Sequence, residues 1–464
     1  MKHFLLLLFL LPTIAFGQTF IPSNVDTLAG FGNYHPQIEI VNDNEPLILW
    51  TNQTEKSVLV TKPSGVGLST PVQLNPAGLQ VQSYNWSGAD LATWEDNVYV
   101  VFRSHGYETG HIYLVKSIDN GETFGDTVRV DHLATGFGQY PDVAVYNDTV
   151  YVTFMDHDAG GSNPQYVVTR SVDGGATFQA EVVAGAILGD EACECCQPEM
   201  VVNDQYMIVF LRNNENDIRD IKAVISYDRG ATFSNWFSVD DHQWYINGCP
   251  STGPDSRITE DNRVLTTYKT YENNVGQVYL NEYDIDLDLS LSMNLISSSG
   301  SPNSNYPQLA YSNGNLGMAW EGLGQGSDVF FMGSNTGISG LDTVNTMNLT
   351  GAGTQSKPDI AFDGSKFHAV YANTTQLDYL TLEEPTGVFN YDYQKGNHFF
   401  PNPTSGIVNC GDFEGGVCIY NSLGSLVKIS NSGIVDLSQF PKGIYYLRAT
   451  DQLGRVLSQK VIKE

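Results

Sequence analysis

Four cysteines on two short segments are the residues of this chain best suited to chemistry. Three lie in Cys193-Glu194-Cys195-Cys196, and the fourth in Gly248-Cys249-Pro250. Sulfur atoms grouped in this way can close structural disulfides, hold a soft ion such as copper(I) or zinc, or act as a redox thiol pair. His242 and His157 are candidate further ligands for an ion. A bridge from Cys249 to one of the trio leaves two cysteines, expected to be adjacent or one residue apart, and joining those demands a strained loop. Cys-x-Cys-Cys is not a zinc-finger spacing. A metal site therefore depends wholly on whether the two segments meet.

Arginine is the second chemical resource, because its planar fork pairs a carboxylate with two parallel hydrogen bonds. Arg212, Arg219 and Arg257 fall close to the cysteines and are candidates for an anion pocket, with Asp217, Asp220 and Asp255 as their alternative partners. Arg103, Arg212, Trp244, Tyr245 and Glu321 are the residues expected to contact a bound ligand. A glycosidase needs two carboxylates facing each other across a cleft. Asp156, Asp158, Asp190, Glu191 and Glu321 are available, and no spacing singles out a pair. Asp284-Ile285-Asp286-Leu287-Asp288 offers alternate carboxylates to calcium, but without the glycine and final glutamate of an EF-hand loop it reads as a solvated strand edge. The sequence contains no phosphate-cradling loop, no nucleophile elbow and no His-Glu-x-x-His helix.

Two repeats define the elements that must position these groups. The shorter is Ser-x-Asp-x-Gly-x-Thr-Phe, present at Ser117–Phe124, Ser171–Phe178 and Ser226–Phe233. Each copy lies between alternating, strand-like runs and reads as a tight hairpin: Asp bonds the turn backbone, Gly takes positive φ, and Phe tucks beneath. The longer repeat begins Pro-Asp/Glu/Gln-apolar-x-apolar at Pro36, Pro141, Pro198, Pro307 and Pro358, with weaker copies at Ala89 and Pro254. Its period is about fifty residues. Each start opens a strand, and a second strand follows that ends in an aromatic: Trp50, Phe102, Phe154, Phe210, Tyr268, Trp320 and Tyr371. The last repeat stops near Glu384 without a fourth strand, and Val25–Ala29 is expected to supply it.

The short repeat resembles the Asp-box, or BNR repeat, of sialidase-like β-propellers. The resemblance implies an all-β fold, here a seven-bladed propeller over residues 18–384. Sialidases usually have six blades, and six is the alternative if one weak repeat is an insertion. In a propeller, the loop entering each innermost strand shares a face with the loop between strands two and three, and the Asp-boxes occupy the other face. Cys196 and Cys249 stand at the same stage of adjacent repeats, so they are expected within roughly the ~10 Å spacing of packed sheets. Sialidases hold the substrate carboxylate with three arginines and use a Tyr activated by Glu, with an Asp as acid/base. The resemblance makes Arg212, Arg219, Arg257, Tyr245, Asp190 and Glu191 catalytic candidates, with Tyr245 or Tyr268 beside Glu272 as the Tyr–Glu pair. The family's Arg-Ile-Pro signature is absent, and His35-Pro36-Gln37 occupies the nearest comparable place.

The two ends of the chain speak of export. Residues 1–17 read as a signal peptide, with Lys2 and His3 before an apolar run from Phe4 to Ile14 and a small-residue close at Ala15-Phe16-Gly17. That run is too short to span a bilayer, and no later one is longer. Residues 385–398 read as a linker. Phe399-Phe400-Pro401-Asn402-Pro403-Thr404-Ser405-Gly406 then opens a unit that runs through Lys442-Gly443-Ile444-Tyr445-Tyr446-Leu447 to Glu464. Residues 399–464 closely resemble the type A sorting domain of the Bacteroidetes type IX secretion system. The resemblance implies a small β-sandwich, handling by that machinery, and release or attachment at the cell surface. Cys410 and Cys418 flank a short hairpin and are candidates for a local disulfide.

A net charge of −29 excludes a nucleic-acid binder and works against anionic ligands except at a local basic pocket. The functional expectation is an exported propeller that binds a glycan or surface polymer through the face carrying the cysteines. A sialidase-like or other glycosidase, and a copper- or zinc-binding surface protein, are the alternatives.

Overall fold

The computed structural model describes residues 20–29, 34–42, 44–64, 67–297, 303–323, 327–347, 353–374, 376–383, 401–409, 417–421, 426–430, 434–450 and 456–464. The signal segment, the linker and Cys410 lie outside them. The chain divides into two compact units, Met1–Thr386 and Gly387–Glu464.

Among the described residues, the first unit consists of seven antiparallel sheets. Their first strands are Tyr34–Ile40, Asp90–Trp94, Phe137–Tyr146, Glu199–Val202, Asp255–Ile258, Asn305–Ser312 and Gln355–Phe362. Each coincides with one start of the long repeat. Within each sheet the main strands pair in chain order, and in the second and fourth sheets a short extra strand, Val81–Gln82 and Glu191–Ala192, pairs with the second strand as well. The seventh sheet takes its outer strand from the beginning of the unit: Ile21–Ala29 pairs with Gln376–Glu383, from Ile21 opposite Glu383 to Ala29 opposite Gln376. The expected strand is thus present and somewhat longer than Val25–Ala29.

The first strands touch one another in sequence, and the first sheet's strand also touches the seventh's. Aspartates at the second position of the repeat start make several of these joints. Asp90 Oδ2 accepts from Val143 N at 2.8 Å, Asp255 Oδ2 from Leu309 N at 2.5 Å, and Asp359 Oδ2 from Ile38 N at 2.7 Å. A buried carboxylate here satisfies a backbone donor that no strand neighbour reaches.

The second strands explain the core. Pro46–Asn52 is buried throughout, and Val98–Phe102 and Met207–Leu211 are at most 2% exposed. Pro46–Trp50 and the other two runs are continuously apolar, as expected of strands covered on both faces. The terminal aromatics Trp50, Phe102, Phe154, Phe210, Tyr268, Trp320 and Tyr371 are all buried between sheets. Between the fourth and fifth sheets, for example, Phe210, Phe237, Tyr268, Tyr279 and Tyr283 share one cluster.

The three short repeats form one turn three times. Ser226 Oγ donates to Asp228 Oδ1 at 2.8 Å and accepts from Gly230 N at 2.8 Å. Asp228 in turn accepts from Thr232 N at 2.8 Å and from Thr232 Oγ1 at 2.6 Å. Ser117–Thr123 and Ser171–Thr177 repeat the pattern. Gly230 has φ +81°, and a Cβ there would come within 2.9 Å of Met207 Sδ, so both backbone and space call for glycine. Phe124, Phe178 and Phe233 are partly buried against the adjacent clusters.

The second unit pairs Val417–Asn421, Leu426–Ser430, Gly443–Thr450 and Val456–Lys463 in one sheet, and Ile407–Asn409 with Ile434–Asp436 in another. Alternating residues of both sheets, including Val408, Ile419, Val435, Leu447 and Val461, build a single core. Cys418 carries no bridge. It lies mid-sheet, paired with Ile429 on one side and Arg448 on the other.

Candidate functional site

The two cysteine segments meet. Cys195 and Cys249 form a disulfide with a Cα–Cα distance of 5.9 Å. They enter the first strands of the fourth and fifth sheets, so the equal phase read from the repeats does bring them together. The bridge takes the middle cysteine of the trio. The two left over are Cys193 and Cys196, three residues apart, a spacing that the sequence expectation of adjacent or one-apart partners did not include. Both are buried and unbridged, with sulfurs 3.1 Å apart. Cys193 Sγ is 3.8 Å from Cys195 Sγ.

Their loop is fixed from several sides. Glu191–Ala192 pairs with Asn213–Asn214, and Cys193 N donates to Arg212 O at 2.9 Å. Tyr166 OH reaches the carbonyls of both Cys193 and Cys196, at 3.1 and 3.0 Å. Arg219 Nη1 donates to Cys193 Sγ at 3.2 Å and lies 3.4 Å from Glu194 Oε2. A hydrogen bond from Cys196, then the charges of Arg212 and Arg219, hold the Cys193 thiol down at about 6 against burial. Burial and the neighbouring Cys193 push the Cys196 thiol well up. Arg219 thus favours charge on Cys193 and the proton on Cys196.

Among the described residues, the group able to surround an ion is Cys193, Cys195 and Cys196, with sulfurs within 4.8 Å of one another. The histidines do not join it. His242 bonds Asp240 at 2.7 Å and packs on Tyr279, and His157 stacks on Phe137 at 4.6 Å.

The arginines divide between two places. Arg212 is fully buried, donating to Arg219 O at 2.5 Å and Lys269 O at 2.9 Å, with its guanidinium 5.0 Å from the Trp244 ring. Arg219 lies beside it, on the cysteines, with Asp217 at 3.9 Å. Arg257 is elsewhere. As the third residue of its strand it lines the central cavity, bound to Asp255 at 2.6 Å with Glu199 at 3.6 Å and Glu39 at 3.8 Å. The structure does not gather the three into one anion pocket, because the strand directs Arg257 inward while the other two serve the loops. Asp220 accepts instead from Gln243 N and Trp244 N. Arg103 is also buried, donating to Gly138 O and Gly106 O at 2.7 and 2.6 Å.

Glu272 is paired, but with Tyr279, whose hydroxyl lies 2.6 Å from Oε2, and not with Tyr245 or Tyr268. Tyr268 is fully buried. Asp190 and Glu191 line a cavity of about 310 Å³ together with Leu188 and Leu211. Glu321 is buried and accepts from Lys357 N at 3.1 Å.

On the segment before Cys249, Tyr245 is 67% exposed, and Tyr271 at the end of a second strand is 39% exposed. Trp244, expected to contact a ligand, is instead buried, stacked on Tyr271 at 5.9 Å and 15°, with Lys269 Nζ 5.9 Å from the centre of its ring. Burial, then the charge of Arg212, holds Lys269 down at about 8. Asn247 donates to Asp217 at 3.1 Å and steadies this edge.

Sequence reasoning passed over the central cavity. The second residues of the seven repeat starts, Gln37, Asp90, Asp142, Glu199, Asp255, Gln308 and Asp359, all line one space of about 560 Å³. Burial pushes Glu39 to about 7 and Asp90 to about 6, and Asp142, Glu199 and Asp359 well above the usual carboxylate range. The signal was visible in the repeat itself, as an acid or amide at one fixed position.

Residues 398–464 match the family model described as a secretion system C-terminal sorting domain. The protein is accordingly handled by type IX secretion and delivered to the cell surface or released. Among the described residues no helix is long and apolar enough to cross a membrane. A search of curated proteins finds no match to this chain. Solved structures with a similar course include a protein of unknown function from Dyadobacter fermentans, 13% identical, with a TM-score of 0.47 over 79% of this chain and 98% of that one. An alpha-L-arabinanase from Penicillium chrysogenum is 11% identical, with a TM-score of 0.48 over 68% and 97%. A sialidase from Trypanosoma rangeli is 10% identical, with a TM-score of 0.43 over 77% and 59%. Likenesses of this order carry no activity across to this chain.

Proposed function

We propose that this is an exported seven-bladed Asp-box β-propeller that binds a glycan or surface polymer at the rim between its fourth and fifth blades. Seven repeat starts, seven sheets and the cyclic contacts of the first strands support the blade count. One observation carries the binding reading: Tyr245 and Tyr271 stand exposed, Tyr271 stacked on the buried Trp244 that precedes Tyr245 in the chain. Aromatic rings present a flat apolar face with a polar tip, and an extended polymer of rings offers matching faces and hydroxyls. The sorting unit, residues 399–464, would bring this rim to the outside and then be removed.

The test is a glycan array probed with mature protein and with Tyr245→Ala and Tyr271→Ala. Retention of one glycan class by wild type, weakened at least about tenfold in Tyr245→Ala, is expected, since a single aromatic contact is worth about 1.4 kcal/mol or more. The melting temperature of Tyr245→Ala should match wild type, because its side chain packs little. Equal retention by wild type and both variants would refute the rim.

A copper- or zinc-binding reading has three close sulfurs in its favour. It requires Cys195 to be released from its bridge. Elemental analysis of protein purified without chelator tests it, with about one equivalent of metal expected. The sialidase-like reading has less support, since Arg257 stands apart from Arg212 and Arg219.

A further inference from the structure

We infer that Cys193 and Cys196 form a reversible dithiol–disulfide couple, distinct from the Cys195–Cys249 bridge, whose reduced form is stabilised by Arg219. This inference is independent of the glycan reading, and either can fail alone.

The geometry supplies each requirement. The two sulfurs are 3.1 Å apart, close enough to bond with a small change of side-chain torsion. The chain spacing, two residues between the cysteines, is one in which redox-active pairs occur. Arg219 Nη1 touches Cys193 Sγ at 3.2 Å, which identifies Cys193 as the thiolate and so as the attacking atom. A cation held against that thiolate favours the reduced state, and a couple whose reduced form is favoured is more oxidising. The Cys195–Cys249 bridge has a different character: it ties the entrances of two sheets across a sequence separation of 54 residues.

Cys193 and Cys196 are both fully buried, which favours a small disulfide, R–S–S–R, over a macromolecular partner as the reagent. Cys193 thiolate attacks one of its sulfurs and RS⁻ leaves, giving a mixed disulfide. The Cys196 thiol passes its proton to that RS⁻. The resulting Cys196 thiolate attacks Cys193 Sγ and a second RS⁻ departs. Two electrons pass from the protein to the small disulfide, and one RSH and one RS⁻ are the products. Oxidation removes the negative charge facing Arg219. The same residue donates its backbone N–H to Trp244 O at 2.9 Å, so the couple lies one residue from the aromatic rim.

The experiment equilibrates full-length mature protein in buffers of varied reduced-to-oxidised glutathione ratio, approached from both sides over days. Acid quench, alkylation and peptide mass spectrometry then report each cysteine. The Cys193–Cys196 bond should open and close across the series while Cys195–Cys249 stays bonded. Arg219→Met should move the midpoint about tenfold toward more reducing buffer, equivalent to about 30 mV, with Arg219→Lys moving it less. Cys196→Ser should lose the second bridge and keep the first. Four outcomes would overturn the inference: thiols at 193 and 196 that stay unbonded at every ratio, even after a pulse of mild denaturant; two bridges that open together; a midpoint unmoved in Arg219→Met; or thiols shielded by a stoichiometric metal until a chelator is added. Should Arg219→Met fail to fold, the wild-type series and Arg219→Lys still decide the matter.

Discussion

Ser226 shows how one hydroxyl can hold a turn. It gives its proton to Asp228 and receives one from Gly230 N, and it is wholly buried. Ser226→Ala would strand the Gly230 N–H without a partner and leave Asp228 Oδ1 with Thr232 N alone. A loss of about 1–3 kcal/mol is expected, read from urea unfolding monitored by tryptophan fluorescence. An unchanged midpoint would mean that water replaces the hydroxyl. This turn was legible from sequence because all of its hydrogen bonds lie within a few residues. The cysteines were legible only in part. Repeat phase brought Cys249 to the trio, but which of three neighbouring sulfurs it would take depends on side-chain directions that spacing does not encode. Arg257 was legible in part for the same reason: its pairing with Asp255 was expected, but not its separation from Arg212 and Arg219, because its strand points it into the cavity.

At the scale of elements, the long repeat fixed the starts of seven first strands because each must bury an apolar pair while its second residue faces inward. The fourth strands were much less visible, and several are only two residues long, such as Val72–Gln73 and Val182–Val183. Such short segments have no period to read. The outer strand of the seventh sheet comes from the other end of the unit, and its role was legible because the last repeat lacked one. Removing residues 20–29 would leave Gln376–Glu383 with one free edge and take away Phe20, which packs against Phe331 and Phe367 at 5.1 and 5.6 Å. An exposed edge strand templates association. The deleted protein should melt at a clearly lower temperature and show oligomers by light scattering, while loss of an ordinary surface segment would do neither. A monomer with wild-type melting would mean that this strand is not needed to complete the unit.

For the whole molecule, the inward ring of acids sets the pH response. Glu39, Asp90, Asp142, Glu199 and Asp359 all have proton affinities raised first by burial, with Glu39 at about 7 and Asp90 at about 6. A carboxyl whose folded value is raised contributes stability that is complete below its unfolded value and lost as pH rises through the folded one. His35, held down at about 3, and the likewise lowered His157 and His368 act in the opposite sense, but only below the unfolded histidine value of 6.5. Lys269 and Lys357, both lowered to about 8, begin to matter above that. Between pH 6.5 and 8 the carboxyls prevail, and stability should fall. The slope is about 1.4 kcal/mol per pH unit for each proton released, and less for Glu39, whose side chain is 36% exposed. Asp142→Asn removes one of these protons while keeping the shape, so its melting temperature should fall less steeply over the same interval. Differential scanning calorimetry at constant ionic strength would show it. A wild-type melting temperature that climbs from pH 6.5 to 8, or an equal slope in Asp142→Asn, would mean that these acids are ionised in the folded protein, solvated by water or balanced by a cation in the cavity.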